Sequence, residues 1–327
     1  MLVTDSHCVG TMSNSSHVFH FTLSAYFDVG LFKYPLFLVT LLLYIFILFS
    51  NVLLITIICL NRTFHEPMYV FLCALFLNEV YGSTGLFPFL LLHILRRVHV
   101  VPAAPCFLQI YTLHTYGLVE YLSLAVLSYD RYVAICRPLQ YNMCMSKSRL
   151  AVLIAVPWCY SFAICGVMIL LTSTLSFCGN IIHKVYCDNF PVVKLACVNT
   201  TGINLYGLII TFNHILLPLI CIVTTYTRIL KVCVGGSKQT RHKAFSTCAP
   251  HVASLINYSI GVVFEILQGR FDMSRVPSMF RIFMSLYFLL CPPLFNPLIY
   301  VWNLTTKLVF NYETTTLSRL GFRLVVL

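Results

Sequence analysis

Charge is what this 327-residue chain has least of. Asp, Glu, Lys and Arg together make up 9% of it, against about 25% in an ordinary soluble domain, so a water-facing globular fold is excluded. Between its apolar stretches there is no Gly/Ser linker, low-complexity tract or internal repeat, and nothing marks a second domain. The missing repeat also counts against a transporter assembled from duplicated halves. Residues 1–33 hold no continuous apolar core of the kind a cleavable signal peptide needs, which leaves the first long apolar run as the insertion signal. No phosphate-cradling Gly-rich loop and no Ser/His/Asp arrangement occurs. His65-Glu66 lacks the second His four residues on that a helical zinc site requires. Enzyme chemistry therefore finds no residues to carry it, and no cofactor is expected.

What the chain has instead is hydrophobic length, with 59% hydrophobic residues and a mean hydropathy of +0.87. A membrane span takes roughly 20 predominantly apolar residues. Seven runs of that length predict helices over Pro35–Leu60, Met68–Leu92, Phe107–Tyr132, Leu150–Leu171, Ile203–Ile229, Ala244–Leu267 and Ile282–Trp302. The reading is an all-α membrane protein: an outer N-terminal segment (1–33), one seven-helix domain (34–302) and a cytoplasmic tail (303–327). Arg62, Arg131, Arg137, Lys147, Arg149, Arg228, Lys231, Lys238, Arg241, Lys243, Lys307, Arg319 and Arg323 fall on one face, 13 of the 21 cations. That face is cytoplasmic by the positive-inside rule, so the N-terminus is extracellular. The formal charge of +11 belongs to loops beside an anionic leaflet, and nucleic acid is not a partner. Asn14-Ser15-Ser16 is a glycosylation sequon on the outer side.

Fifteen cysteines are present, most of them inside spans, where a thiol packs as a small apolar group. Cys106, Cys178, Cys187 and Cys197 stand on the oxidising side, an even set that suggests two disulfides with three pairings open. Cys8 is assigned nothing.

Few ionisable groups enter the spans, and those that do are functional candidates. Glu79 lies about 18 Å in from Pro67 and Glu120 about 16 Å in from Arg131, at ~1.5 Å per residue. At similar depth the two carboxyls would share a proton or hold a cation such as Na⁺, and Asn51 and Asn296 complete an expected polar core. The bland alternative is a structural hydrogen-bond network. Residues 127–141, LSYDRYVAICRPLQY, end the third span in Asp130-Arg131-Tyr132 at the inner interface. An Arg clamped by its neighbouring carboxylate can be released when helices move; alone, it could equally be a snorkelling cation. Pro293 and Pro297 interrupt the last span and pre-weaken it near Tyr300.

The tripeptide is not alone. FHEPMY opens the second span, SYDRYVAIC closes the third, and TYTRIL, KAFSTCAPH and PLFNPLIY follow in order. Together these resemble the olfactory (odorant) receptors, a branch of the rhodopsin-like G-protein-coupled receptors, from about Leu38 to Thr306. LNEVYGSTGLFPFLL and CGNIIHKVYCDN look most like fish-type members. Departures are Ser50-Asn51 for the family's Gly-Asn, Glu79 for Asp, and Asn257-Tyr258-Ser259 for an aromatic pair ending in Tyr. Residues 1–11 are longer than usual, with Met12 an alternative start.

The resemblance implies a small-molecule odorant bound in the outer half of the bundle, where spans three, five and six converge. Candidates are His114, Gly117 and Leu118 from span three, Leu208 and Phe212 from span five, and Tyr258, Val262 and Glu265 from span six, with Arg270 beyond it. It also implies disulfides Cys106–Cys187 and Cys178–Cys197 folding the outer loop into a lid. The partner is a stimulatory, olfactory-type heterotrimeric G protein, which docks by a helix-in-groove mode beside Asp130, Arg131, Tyr132, Arg241 and Lys243. Pro297 and Tyr300 belong to the switch, and the polar core is its hinge. The implied location is the plasma membrane of olfactory cilia. A non-olfactory receptor for an amine or peptide is the alternative, and a transporter a more distant one.

Overall fold

The computed structural model describes residues 20–26, 30–271 and 275–319, apart from the side chains at positions 240, 243, 270, 302–304 and 306–319. Seven long helices cross it: α1 (Lys33–Leu60), α2 (Pro67–Leu95), α3 (Ala103–Cys136), α5 (Lys147–Ser173), α7 (Thr201–Gly235), α8 (Lys238–Arg270) and α9 (Ser278–Arg319). Two short helices, α4 (Tyr141–Cys144) and α6 (Asn189–Val193), lie in connecting loops. Six of the long helices are long and apolar enough to cross a membrane by length and composition. The exception is α3, interrupted by Gln109, Glu120, Asp130 and Arg131. All four are buried, because α3 packs against α2, α5, α7 and α8 at the centre of the bundle. Its polar groups therefore meet protein rather than lipid.

The outer helices show the converse. In α1 the buried residues are Ile47, Asn51, Leu54 and Ile58, a single seam at alternating steps of four and three, which puts one face on the bundle. Leu38, Val39, Leu42, Phe46 and Phe49 are exposed on the remainder, as a lipid-facing surface requires. Small residues set the closest approaches. A Cβ on Gly82 would stand 2.3 Å from the ring of Tyr116, and one on Gly261 2.4 Å from Cβ of Phe288. These two glycines let α2 meet α3 and α8 meet α9.

On the outer side a three-stranded sheet caps the bundle. β1 (His20–Leu23) is its middle strand, antiparallel to β2 (Val100–Pro102) and parallel to β3 (Ile181–Ile182). Phe21 and Leu23 point inward and are buried against Phe107 and Phe177, so the N-terminal segment, expected only as an outer extension, is stitched into two outer loops. The four outer cysteines pair as Cys106–Cys187 and Cys178–Cys197, with Cα atoms 5.4 and 5.1 Å apart. The first bond ties the long loop to α3 and the second closes that loop on itself. On the inner side only Gly236 and Ser237 separate α7 from α8. Helix α9 runs unbroken from Ser278 to Arg319, past Trp302, where the last span was expected to give way to a tail.

Candidate functional site

A cavity of about 240 Å³ lies in the outer half of the bundle between α3, α5, α7 and α8, roofed by the Cys187–Val193 stretch of the long loop. His114, Gly117, Leu118, Tyr258, Val262 and Glu265, all selected from sequence, line it. Tyr258 donates its hydroxyl to the carbonyl of Gly117 at 2.7 Å. A Cβ on Gly117 would stand 3.1 Å from that hydroxyl, so the glycine admits a helix-to-helix bond as well as leaving space.

Two expected lining residues are corrected. Leu208 and Phe212 are 47% and 62% exposed on the lipid side of α7, while Gly207, Ile210, Thr211 and His214 face the cavity. The helical phase was misjudged by one position: α7 turns a stripe of His214, Pro218, Ile222, Thr225 and Ile229 inward. The side chain of Arg270 lies outside the described residues, as do Asp272 and Asn14.

Above the cavity, Glu265 pairs with Lys184 of the loop, and it accepts from Ser285 at 2.7 Å and Tyr186 at 3.1 Å. Lys184 also donates to Asp188 at 2.7 Å. Burial opposes charge on Lys184, yet the neighbouring Asp188, Tyr186 and Glu265 hold its ammonium well above the usual lysine pKa. For Asp188, burial pulls upward, but the Lys184 ammonium beside it outweighs this and leaves its carboxyl below the usual range. Both groups are charged at neutral pH, and the loop is locked to α8.

In the middle of the bundle, Glu79 and Glu120 come together as expected, fully buried. Asn296 of α9 donates its amide to both, at 3.0 Å to Glu120, and accepts from Ser254 at 2.6 Å. Tyr116 donates to Glu79 and Asn78 to Glu120, each at 3.0 Å. Asn78, Tyr116 and Ser254 were not foreseen; Asn78, adjacent to Glu79 in sequence, was the legible one. Asn51 does not join the carboxyls. Its amide donates to the carbonyl of Pro293 at 2.9 Å, an oxygen that Pro297, four residues on and lacking an N–H, cannot satisfy within the helix.

At the inner end Arg131 is clamped to Asp130, whose other oxygen accepts from Tyr141 at 2.8 Å. Asp130 is fully buried and Arg131 8% exposed. Burial and then the Asp130 charge push the Tyr141 phenol up, so it remains a donor. Tyr132 accepts from Arg228 of the TYTRIL stretch at 3.1 Å. Tyr300, expected to belong to the switch, is buried, with its hydroxyl 3.0 Å from His251 Nδ1. Arg241 is exposed in the first turn of α8, and the side chain of Lys243 lies outside the described residues.

A central α3, a loop stapled to it, a buried carboxylate core and a clamped inner arginine place the chain in the rhodopsin-like seven-helix class. The fold is that of squid rhodopsin, with a TM-score of 0.67 at 16% identity over 84% of this chain and 78% of that one. A family profile for olfactory receptors matches residues 40–318, and the chain belongs to the olfactory receptor family. It is 32% identical to human olfactory receptor 11A1 over 286 residues, covering 86% of this chain and 88% of that protein. It is 34% identical to mouse olfactory receptor 1M1 (86% and 91% covered) and 32% identical to mouse olfactory receptor 6E1 (94% and 99% covered). It is a multi-pass membrane receptor rather than an enzyme.

Proposed function

We propose that this receptor takes a small odorant into the outer cavity, against His114, Gly117, Leu118, Tyr258, Val262 and Glu265, and signals through a stimulatory, olfactory-type G protein from the plasma membrane of sensory cilia. The observation that carries the reading is the cavity beneath a loop tied to α3 by Cys106–Cys187. Ligand contacts there bear on α3 and α8, the helices that also hold Arg131 and His251 at the inner end. Glu79, Glu120 and Asn296 are the hinge, holding one shared proton or a Na⁺ ion. Oxygen-only donors suit a hard cation, and Oδ1 of Asn78 and Oγ of Ser83, one turn from Glu79, are buried there without partners. Outward movement of α8 would release Arg131 and open a groove past Tyr132, Arg241 and Lys243 to the G protein, with Pro297 and Tyr300 accommodating the change in α9.

The test is a ligand panel on cells expressing the chain, with cAMP, calcium and cAMP-suppression readouts side by side. The reading expects a dose-dependent rise in cAMP. A ligand that raises calcium or suppresses cAMP instead contradicts the stimulatory assignment.

A further inference from the structure

The polar groups that line the outer cavity are mostly fixed as hydrogen-bond acceptors. His214, 5% exposed, has its Nδ1 2.9 Å from the carbonyl of Ile210. A carbonyl only accepts, so Nδ1 carries the proton, and Nε2 is a lone pair buried in the cavity wall with no partner. His114 is held the same way, Nδ1 donating to the carbonyl of Ile110 at 3.0 Å. Its Nε2 stands 3.6 Å from Asp188 Oδ1, two acceptors facing each other with no proton between them when the imidazole is neutral.

Three of the lining hydroxyls are already spent as donors. The hydroxyls of Tyr258, Thr211 and Tyr186 donate to Gly117, Gly207 and Glu265. Asn204 donates its amide to Thr200 at 3.0 Å, and Asn189, whose oxygen accepts from Thr172 at 2.8 Å, is the lining amide that presents a donor. Charge points in the same direction. Asp188 and Glu265 both line the cavity, while the one ammonium between them, Lys184, lines a separate cavity of about 130 Å³ on the outer side. Among these three groups, two carboxylates against one ammonium leave an excess of one negative charge.

We infer that the ligand class is a small organic amine, its ammonium donating jointly to Asp188 Oδ1 and His114 Nε2, its apolar body against Leu118, Ile210 and Val262, and a second donor at its far end reaching His214. This rests on the cavity being the ligand site. Acids and aldehydes, which bring only acceptors to these atoms, are disfavoured.

The test offers 5-aminopentanol, pentylamine, pentanol, pentanal and pentanoic acid to the full chain, reading the thermal unfolding of purified receptor for binding and cAMP for signalling. Both amines are expected to act at least about tenfold lower in concentration than the other three, because a site built for an N–H rejects analogues without it. The amino alcohol should outrank pentylamine. His214→Phe, which keeps a ring for Tyr160 to stack on, should erase that advantage, and Asp188→Asn should erase the preference for amines. Should Asp188→Asn fail to reach the surface, the ranking on the unsubstituted receptor and His214→Phe decide. An acid or aldehyde outranking the amines, or no stabilisation by either amine, overturns the inference while leaving the receptor reading intact. Stabilisation by amines without cAMP supports it and counts against the stimulatory coupling instead.

Discussion

The hydroxyl of Tyr300 lies 3.0 Å from Nδ1 of His251, joining α9 to α8 in a fully buried contact. One such bond contributes about 1 kcal/mol, enough to move a two-state equilibrium roughly fivefold. If it helps hold α8 in the closed arrangement, Tyr300→Phe should raise basal cAMP several-fold at equal surface density. Basal activity unchanged from the parent would count against a latch at this position.

The carboxylate pair makes a sharper demand. Glu79 and Glu120 share the amide of Asn296, so neither can be altered without changing the other's surroundings. Glu79→Gln and Glu120→Gln should each shift basal activity and reduce sensitivity to Na⁺ while leaving ligand preference in place. Their double substitution should depart from additivity by about 0.5–3 kcal/mol when the shifts are expressed as free energies. Strict additivity in a double-mutant cycle would make the two sites independent packing positions.

Those carboxyls were legible because charge inside a span is rare and depth can be counted from the helix ends. The same reasoning found the seven helices, whose only strong signal is hydrophobic length, and the clamp at Asp130-Arg131, whose partners are adjacent in the chain. It failed where phase or distance in sequence decides. Leu208 and Phe212 were misplaced because α7 turns a mixed polar and apolar stripe inward, so its large apolar side chains at these positions face lipid rather than the cavity. Tyr141, Ser254 and His251 reach their partners only through the fold. β1 was overlooked although His20–Leu23 alternates exposed and buried residues, since four residues carry too little period to separate from a loop.

Cys106 should be indispensable to folding, because its bond to Cys187 positions both the cavity roof and the parallel β1–β3 pairing. Such a crosslink contributes about 2–4 kcal/mol. Cys106→Ser should lose most surface expression, while Cys178→Ser, whose bond closes a loop of 19 residues within one segment, should lose less. Flow cytometry against an N-terminal tag measures both, and equal loss would contradict the ranking.

Lys184 and Asp188 predict a pH profile. The depressed Asp188 pKa contributes stability that is complete above the ordinary carboxylate value of about 4 and is lost as pH falls through its folded value. The raised Lys184 pKa contributes stability complete below about 10.4 and lost as pH rises through its own. The pair's contribution is therefore flat from about pH 5 to 9. Lys184→Met leaves Asp188 buried without its counter-ion, at a cost of about 3–5 kcal/mol. Its folded pKa then exceeds the unfolded one, so the variant, unlike the parent, should gain stability as pH falls from 7 towards 4. Thermal unfolding of purified receptor at several pH values reads this, and parallel profiles for the two proteins would exclude a buried ion pair.

The central claim is that ligand occupancy outside is read at Arg131 inside. The most direct measurement is ligand-stimulated cAMP from Arg131→Ala, at surface density matched to the parent and with ligand binding measured on the same cells. Arg131 meets Asp130 at the inner interface, far from the cavity, so binding should persist while the cAMP response falls to baseline. Normal stimulated cAMP from a well-expressed Arg131→Ala receptor would contradict the account.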